Sequence, residues 1–178
     1  PACNNLSVRQ EERQVYITYY INSLNNSGLV YYFHCQYDSA MHFFQSAKTW
    51  SEKSDNQLLL AESMFNIAEV HLELGNFEKA NKLYSESEKI YRENGDALSV
   101  FYCLNSLGIL NKLQGDYYKA LEFYNKAFLI VDSLNDESGK AYIYNNIGNI
   151  YKSRGEFSKA MENFDKAYQV FTLLNELL

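Results

Sequence analysis

Proline is almost missing from this chain: there is one in 178 residues, and it is Pro1. Proline removes a backbone donor and clashes with the preceding turn, so its absence takes away the main interruption to long helices. An almost wholly helical chain is expected. Positive charge is also short, with 16 Lys and Arg against 22 Asp and Glu, a formal net charge of −6 and a pI near 5.1. A surface that tracks phosphates needs Lys and Arg to neutralise them, so no nucleic acid is expected as a partner. No run of apolar residues is long enough to cross a bilayer, and no membrane insertion is expected. Cys3, Cys35 and Cys103 are an odd number at unrelated spacings, neither a disulfide framework nor a zinc pattern.

What the chain does have is 47% hydrophobic and 16% aromatic residues, enough to build a core, arranged with a period. Gly75-Asn-Phe-Glu-Lys-Ala80, Gly115-Asp-Tyr-Tyr-Lys-Ala120 and Gly155-Glu-Phe-Ser-Lys-Ala160 stand 40 residues apart, and one step back lies Cys35-Gln-Tyr-Asp-Ser-Ala40. Superposing the copies gives an aromatic column at Tyr37, Phe77, Tyr117 and Phe157 and another at Phe44, Tyr84, Tyr124 and Phe164. Small residues run through Ala40, Ala80, Ala120 and Ala160, and through Ala47, Ser87, Ala127 and Ala167. Within a copy these positions fall on one face of a helix, helix B. Upstream of each turn lies a second amphipathic stretch, helix A, with a small residue at Gly28, Ala68, Gly108 or Gly148. A glycine in mid-helix costs propensity, so a close crossing by helix B is expected there. Asn94-Gly95-Asp96 and Asn135-Asp136 suit helix termination and N-capping.

This pattern resembles the tetratricopeptide repeat, whose small residue in helix A, tyrosine late in A, glycine at the turn, and alternating aromatic and alanine in B all have matches here. The resemblance implies an all-α, right-handed superhelical solenoid of about four hairpins, in units of approximately 17–54, 55–95, 96–135 and 136–174. Residues 1–16 form an extension, helical or disordered, and 175–178 begin a further, truncated unit. The usual repeat has about 34 residues and a proline near its end; here the period is 40, and Glu52, Arg92, Asp132 and Thr172 stand where the proline would. The longer repeat is similar to those of kinesin light chains, Rap-type bacterial regulators and the segments preceding many Bacteroidetes-like sensor kinases and transcriptional regulators.

The same resemblance implies a non-catalytic module for protein or peptide binding, the sensory or interaction segment of a larger bacterial signalling regulator. Its helices A would line a concave groove through Asn22, Asn25, Asn26, Asn66, Glu69, Tyr102, Asn105, Tyr142, Asn145, Asn146 and Asn149. An asparagine amide carries an acceptor and two donors and can pair with both polar groups of a peptide unit. The competing reading is that asparagine is simply common in this sequence. Glu62, Glu69 and Glu73 share a helical face that could receive basic side chains or be ordinary solvated surface. The alternative role is a structural oligomerisation scaffold, a homodimer through the C-terminal edge at Phe164, Ala167, Val170 and Phe171.

No catalytic group, metal site or cofactor is expected. His34, Cys35 and His42 bracket one turn without a fourth ligand, His71 falls in the packing column of Tyr31 and Tyr151, and the acid pairs Glu11/Glu12 and Glu86/Glu88 read as solvated surface. Pro1-Ala-Cys-Asn-Asn resembles the end of a bacterial lipoprotein signal with Cys3 as the lipidation site, which implies a periplasmic or membrane-anchored protein; a cytoplasmic one is the alternative.

Overall fold

The computed structural model describes the backbone of residues 2–176 and the side chains of residues 12–173; Cys3 therefore lies outside the described side chains. Two units are present. The first holds α1 (Ala2–Phe33), α2 (Tyr37–Lys53), α3 (Gln57–Glu73) and α4 (Phe77–Glu93), and the second α5 (Ala97–Leu113), α6 (Tyr117–Ser133), α7 (Glu137–Ser153) and α8 (Phe157–Glu176). Each unit is a pair of helical hairpins, odd-numbered helices being A and even-numbered B. Among the described residues there is no strand, as the repeat predicts.

The long period is divided equally, since α2 through α7 are each 17 residues. Every turn contains one residue in the left-handed region: Cys35, Asp55, Gly75, Gly95, Gly115, Asn135 and Gly155, with φ between 52° and 80°. At Gly75 the next residue closes the motif, Asn76 N–H donating to His71 C=O at 2.8 Å while Gly75 N–H donates to Leu72 C=O at 3.0 Å. The same pair recurs after α1, α2, α5, α6 and α7, satisfying carbonyls that the ends of these helices would leave unpaired. The starts are closed by side chains. Asn56, Asp96, Asp116 and Asp136 accept from the backbone N–H three residues on, at 3.0–3.1 Å, and this bond holds the Asp116 carboxyl below its ordinary value.

Burial separates the two helix types. In α4 a single stripe is inside, Ala80, Tyr84, Ser87 and Tyr91, whereas α5 buries Val100, Phe101, Cys103, Leu104, Ser106, Leu107, Gly108, Leu110 and Asn111. Helix A is thus hydrophobic on most of its circumference, helix B on one side. The two meet at the small residues. A Cβ on Gly108 would lie 2.5 Å from Tyr124 Cε1, and one on Gly148 would lie 2.7 Å from Phe164 Cε1; at Gly28 the Phe44 ring fills the same place.

The Tyr84 and Tyr124 columns differ in one respect. Tyr84 donates its phenol O–H to Glu69 Oε1 at 2.6 Å. At Tyr124 the residue in the Glu69 column is Ile109, and the fully buried Tyr124 hydroxyl has no partner. Burial pushes its pKa up. Removing an unpaired buried hydroxyl recovers its desolvation cost, so Tyr124→Phe should stabilise the chain by about 1 kcal/mol, whereas Gly108→Ala should cost roughly 1–3 kcal/mol through overpacking against the same ring. Thermal melts of the two variants should move in opposite directions from the parent.

Candidate functional site

In the first unit the A-helix face consists of α1 and α3, and the structure divides its predicted residues. Asn26 is exposed and Asn22 half-buried, but Asn25 is fully buried and Asn66 is 7% exposed. The expectation that all four line an open groove is corrected for these two, which pack against the neighbouring helices of their unit. Asn25 Oδ1 accepts from Ser63 Oγ of α3 at 3.2 Å, tying one helix A to the next. The Nδ2 atoms of both Asn25 and Asn66 meet no acceptor at hydrogen-bond geometry.

The three carboxylates of α3 engage the chain itself. Burial raises the pKa of Glu62, while the neighbouring Asn25 side chain pulls it back down. Glu69 receives the Tyr84 phenol, and Glu73 Oε2 is 3.5 Å from Tyr37 Oη. Burial first, and then the charges of Glu69 and Glu73, push the Tyr32 phenol well up. His71, half-buried beside them, is held below its ordinary value by burial and by Lys79.

The second unit presents a different surface on α5 and α7. Tyr102 and Tyr142, one period apart, are 51% and 59% exposed, and Asn145 is exposed. Asn105 and Asn146 spend a donor and an acceptor on each other, Asn146 Nδ2 donating to Asn105 Oδ1 at 2.9 Å. Asn149, half-buried, donates to the Asn145 carbonyl in its own helix at 3.0 Å. The face therefore combines open phenols with amides that partly hold adjacent A helices together.

At α8 the predicted edge is also redrawn. Phe164 rests on Gly148 and Ala167 is 4% exposed, because both face α7 within their own hairpin. Val170 is half-buried, and Phe171, 39% exposed, meets the Tyr142 ring edge-on at 6.0 Å. Among its described side chains, α8 exposes the large apolar groups of Phe157, Met161, Tyr168, Phe171 and Leu173.

Sequence reasoning passed over a hollow of about 420 Å³ in the first unit, lined by Glu12, Arg13, Tyr16, Ile17, Tyr20 and Trp50. The Tyr20 and Trp50 rings stand nearly perpendicular, 5.4 Å apart, with Lys53 Nζ 5.3 Å from the Trp50 ring centroid. The signal was the tyrosine cluster Tyr16, Tyr19 and Tyr20, which belongs to no repeat column. Among the described residues no three His, Cys, Asp or Glu side chains converge as a metal would require, and no helix is long and apolar enough to cross a membrane.

A model of the tetratricopeptide repeat family matches residues 19–93 and 99–172. The chain belongs to that family. None of the curated proteins matches the sequence. Solved tetratricopeptide-like structures do match. BtubC (BKLC) from P. vanneervenii is 23% identical, with a TM-score of 0.77, covering 87% of this chain and 64% of its own. A Rap protein complexed with Competence and Sporulation Factor is 21% identical, with a TM-score of 0.76 and coverage of 83% and 41%. The Rap conjugation gene regulator of plasmid pLS20, in complex with the Phr* peptide, is 19% identical, with a TM-score of 0.74 and coverage of 82% and 41%. The likeness is one of fold, and the chain spans less than two thirds of each of these three structures.

Two measurements check the polar contacts. Glu62 has a folded-state pKa above its ordinary value of 4.5, so it binds a proton more readily folded than unfolded. The stability it contributes is fully present below that ordinary value and is lost as pH rises through the raised one. Glu62→Gln should therefore be more stable than the parent at pH 7, and denaturant titrations should show the gap closing at pH 4. In a double-mutant cycle, Asn105→Ala and Asn146→Ala should show a coupling of about 0.5–1.5 kcal/mol.

Proposed function

We propose that the chain is a non-catalytic recognition module that binds an extended peptide along its A-helix faces, as the sensory or interaction segment of a larger bacterial regulatory protein. The observation that carries this reading is the pair of tyrosines, Tyr102 and Tyr142, left 51% and 59% exposed on α5 and α7 next to exposed Asn145. A buried amphipathic core accounts for the rest of those helices and gives no reason for large phenols at successive repeat positions in solvent. Tyrosine offers broad contact area and a polar tip at low entropic cost, and the asparagine amide pairs with peptide groups. Asn22, Asn26 and Asn149 extend the same chemistry. Two of the structures sharing the fold, both Rap proteins, contain a named peptide or factor, which is consistent with this use of the architecture.

A screen of a displayed dodecapeptide library against the chain tests the reading directly. Selected peptides should bind at micromolar affinity and weaken about tenfold or more with Tyr102→Ala plus Tyr142→Ala. Selection of no peptide, or binding indifferent to both substitutions, contradicts it.

A second reading, self-association through α8, is favoured by the exposure of Tyr168 at 71% and Leu173 at 61% together with Phe171. Multi-angle light scattering at high concentration separates the two, because a strictly monomeric chain excludes the scaffold.

A further inference from the structure

The first hairpin departs from the repeat at one end, in both of its helices. The later A helices α3, α5 and α7 begin at Gln57, Ala97 and Glu137, one residue after a capping Asn56, Asp96 or Asp136. The matching position in α1 holds Tyr16, and the helix runs on through it toward the N-terminus, 32 residues long against 17. Across from it, the column of Trp50 is otherwise aliphatic, with Ile90, Ile130 and Val170, and the column of Tyr20 contains Leu60, Val100 and Lys140. Three positions thus exchange their column's residue for a ring at a single place. Gln14 Nε2 donates to Ser54 C=O at 3.2 Å, tying the added turns of α1 to the end of α2, and these rings line the hollow of about 420 Å³ described above.

The charges around the rings select a ligand. Trp50 lies in the last turn of α2, where the helix dipole places partial negative charge, and Glu12 adds a carboxylate to the lining. Aromatic faces are negative as well. Tyr20 and Trp50 stand at 86° to each other, as two walls of a cage. Lys53 Nζ already lies over the Trp50 ring, 5.3 Å from its centroid, so this ring takes a cation. An anion would gain Arg13 and Lys53 but would meet Glu12, the ring faces and the helix end. A neutral apolar group would make no use of Glu12. A primary ammonium brings three donors that rings do not satisfy, whereas a quaternary ammonium has none and presents methyl groups to the rings and its charge to Glu12.

We propose that Tyr16, Tyr20 and Trp50, together with Glu12, form a cage for a quaternary ammonium group. The site is separate from Tyr102 and Tyr142 and stands or falls independently of the peptide-binding reading. Lys53 covers the Trp50 face in the free protein and is displaced by the ligand. The same group is carried by a free solute such as choline and by a trimethyllysine side chain, and the hollow has the volume of a small-ligand site.

Trp50 is the one tryptophan of the chain, so the intrinsic fluorescence of the whole chain reports on this site. Choline chloride titrated at constant ionic strength should change it saturably, with a midpoint in the millimolar range. The neutral isostere 3,3-dimethyl-1-butanol and the anionic 3,3-dimethylbutanoate should bind about tenfold more weakly or worse. An end-capped peptide with one trimethyllysine, titrated beside its unmodified lysine parent, separates the sources: a midpoint below that of choline assigns the cage to a methylated side chain, and one at or above it to the free solute. Glu12→Gln and Tyr16→Ala, both at exposed positions, should each weaken choline about threefold or more. Lys53→Gln, which removes the resident ammonium, should tighten it. The cage is overturned if the neutral or the anionic isostere matches choline, if neither cation source saturates the signal, or if choline binding ignores Glu12→Gln and Tyr16→Ala or weakens with Lys53→Gln.

Discussion

The structure depends on one contact, repeated: an aromatic ring of helix B pressed into helix A where A has no side chain to oppose it. Gly28 takes Phe44, Gly108 takes Tyr124 and Gly148 takes Phe164, each without room for a Cβ. The glycine costs about 1 kcal/mol of helix propensity relative to alanine, and the cost is offset because the ring is then fully or largely buried. The crossing fixes how far apart the two helices of a hairpin run. It also fixes which residues of helix A remain to face the adjacent helix A, and so which amides and phenols are held at the surface.

From that constraint follows a division of labour within each unit. Helix B carries a narrow apolar stripe and a charged outer face laced with pairs four residues apart, such as Lys126 to Glu122 at 2.6 Å, which are worth little individually. Helix A is covered on most sides, so its polar residues are paired within the protein, buried, or left open to solvent. Asn146 with Asn105, Ser63 with Asn25, and Tyr84 with Glu69 belong to the first group. Tyr102, Tyr142 and Asn145 are left open to solvent, where the proposed function would use them.

The hairpins were legible in the sequence because the crossing writes a strong signal: small residues and aromatics at fixed offsets, four times over. Helix ends were readable at Gly75, Gly95, Gly115 and Gly155, where glycine enters the left-handed region without strain. They were less so at Cys35, Asp55 and Asn135, which adopt the same conformation with a side chain. The site was legible only in part, since a column of asparagines does not reveal which of them is covered. Asn25 and Asn145 share one column, yet the first is buried and the second exposed, whereas the membership of Phe164 in the column of Phe44, Tyr84 and Tyr124 was the sign that it packs inside its own hairpin. Whether two amides close on each other, as Asn146 and Asn105 do, depends on how the neighbouring helices are spaced, which periodicity does not carry.

The central claim, that helices A are the recognition surface, is tested most directly by nitrogen-15 chemical-shift mapping of the chain as a library-selected peptide is added. The account predicts that the perturbed amides cluster on α1, α3, α5 and α7, including the Asn145 side chain and the backbone at Tyr102 and Tyr142. Perturbations confined to the outer faces of α2, α4 and α6, or to α8 alone, would contradict it.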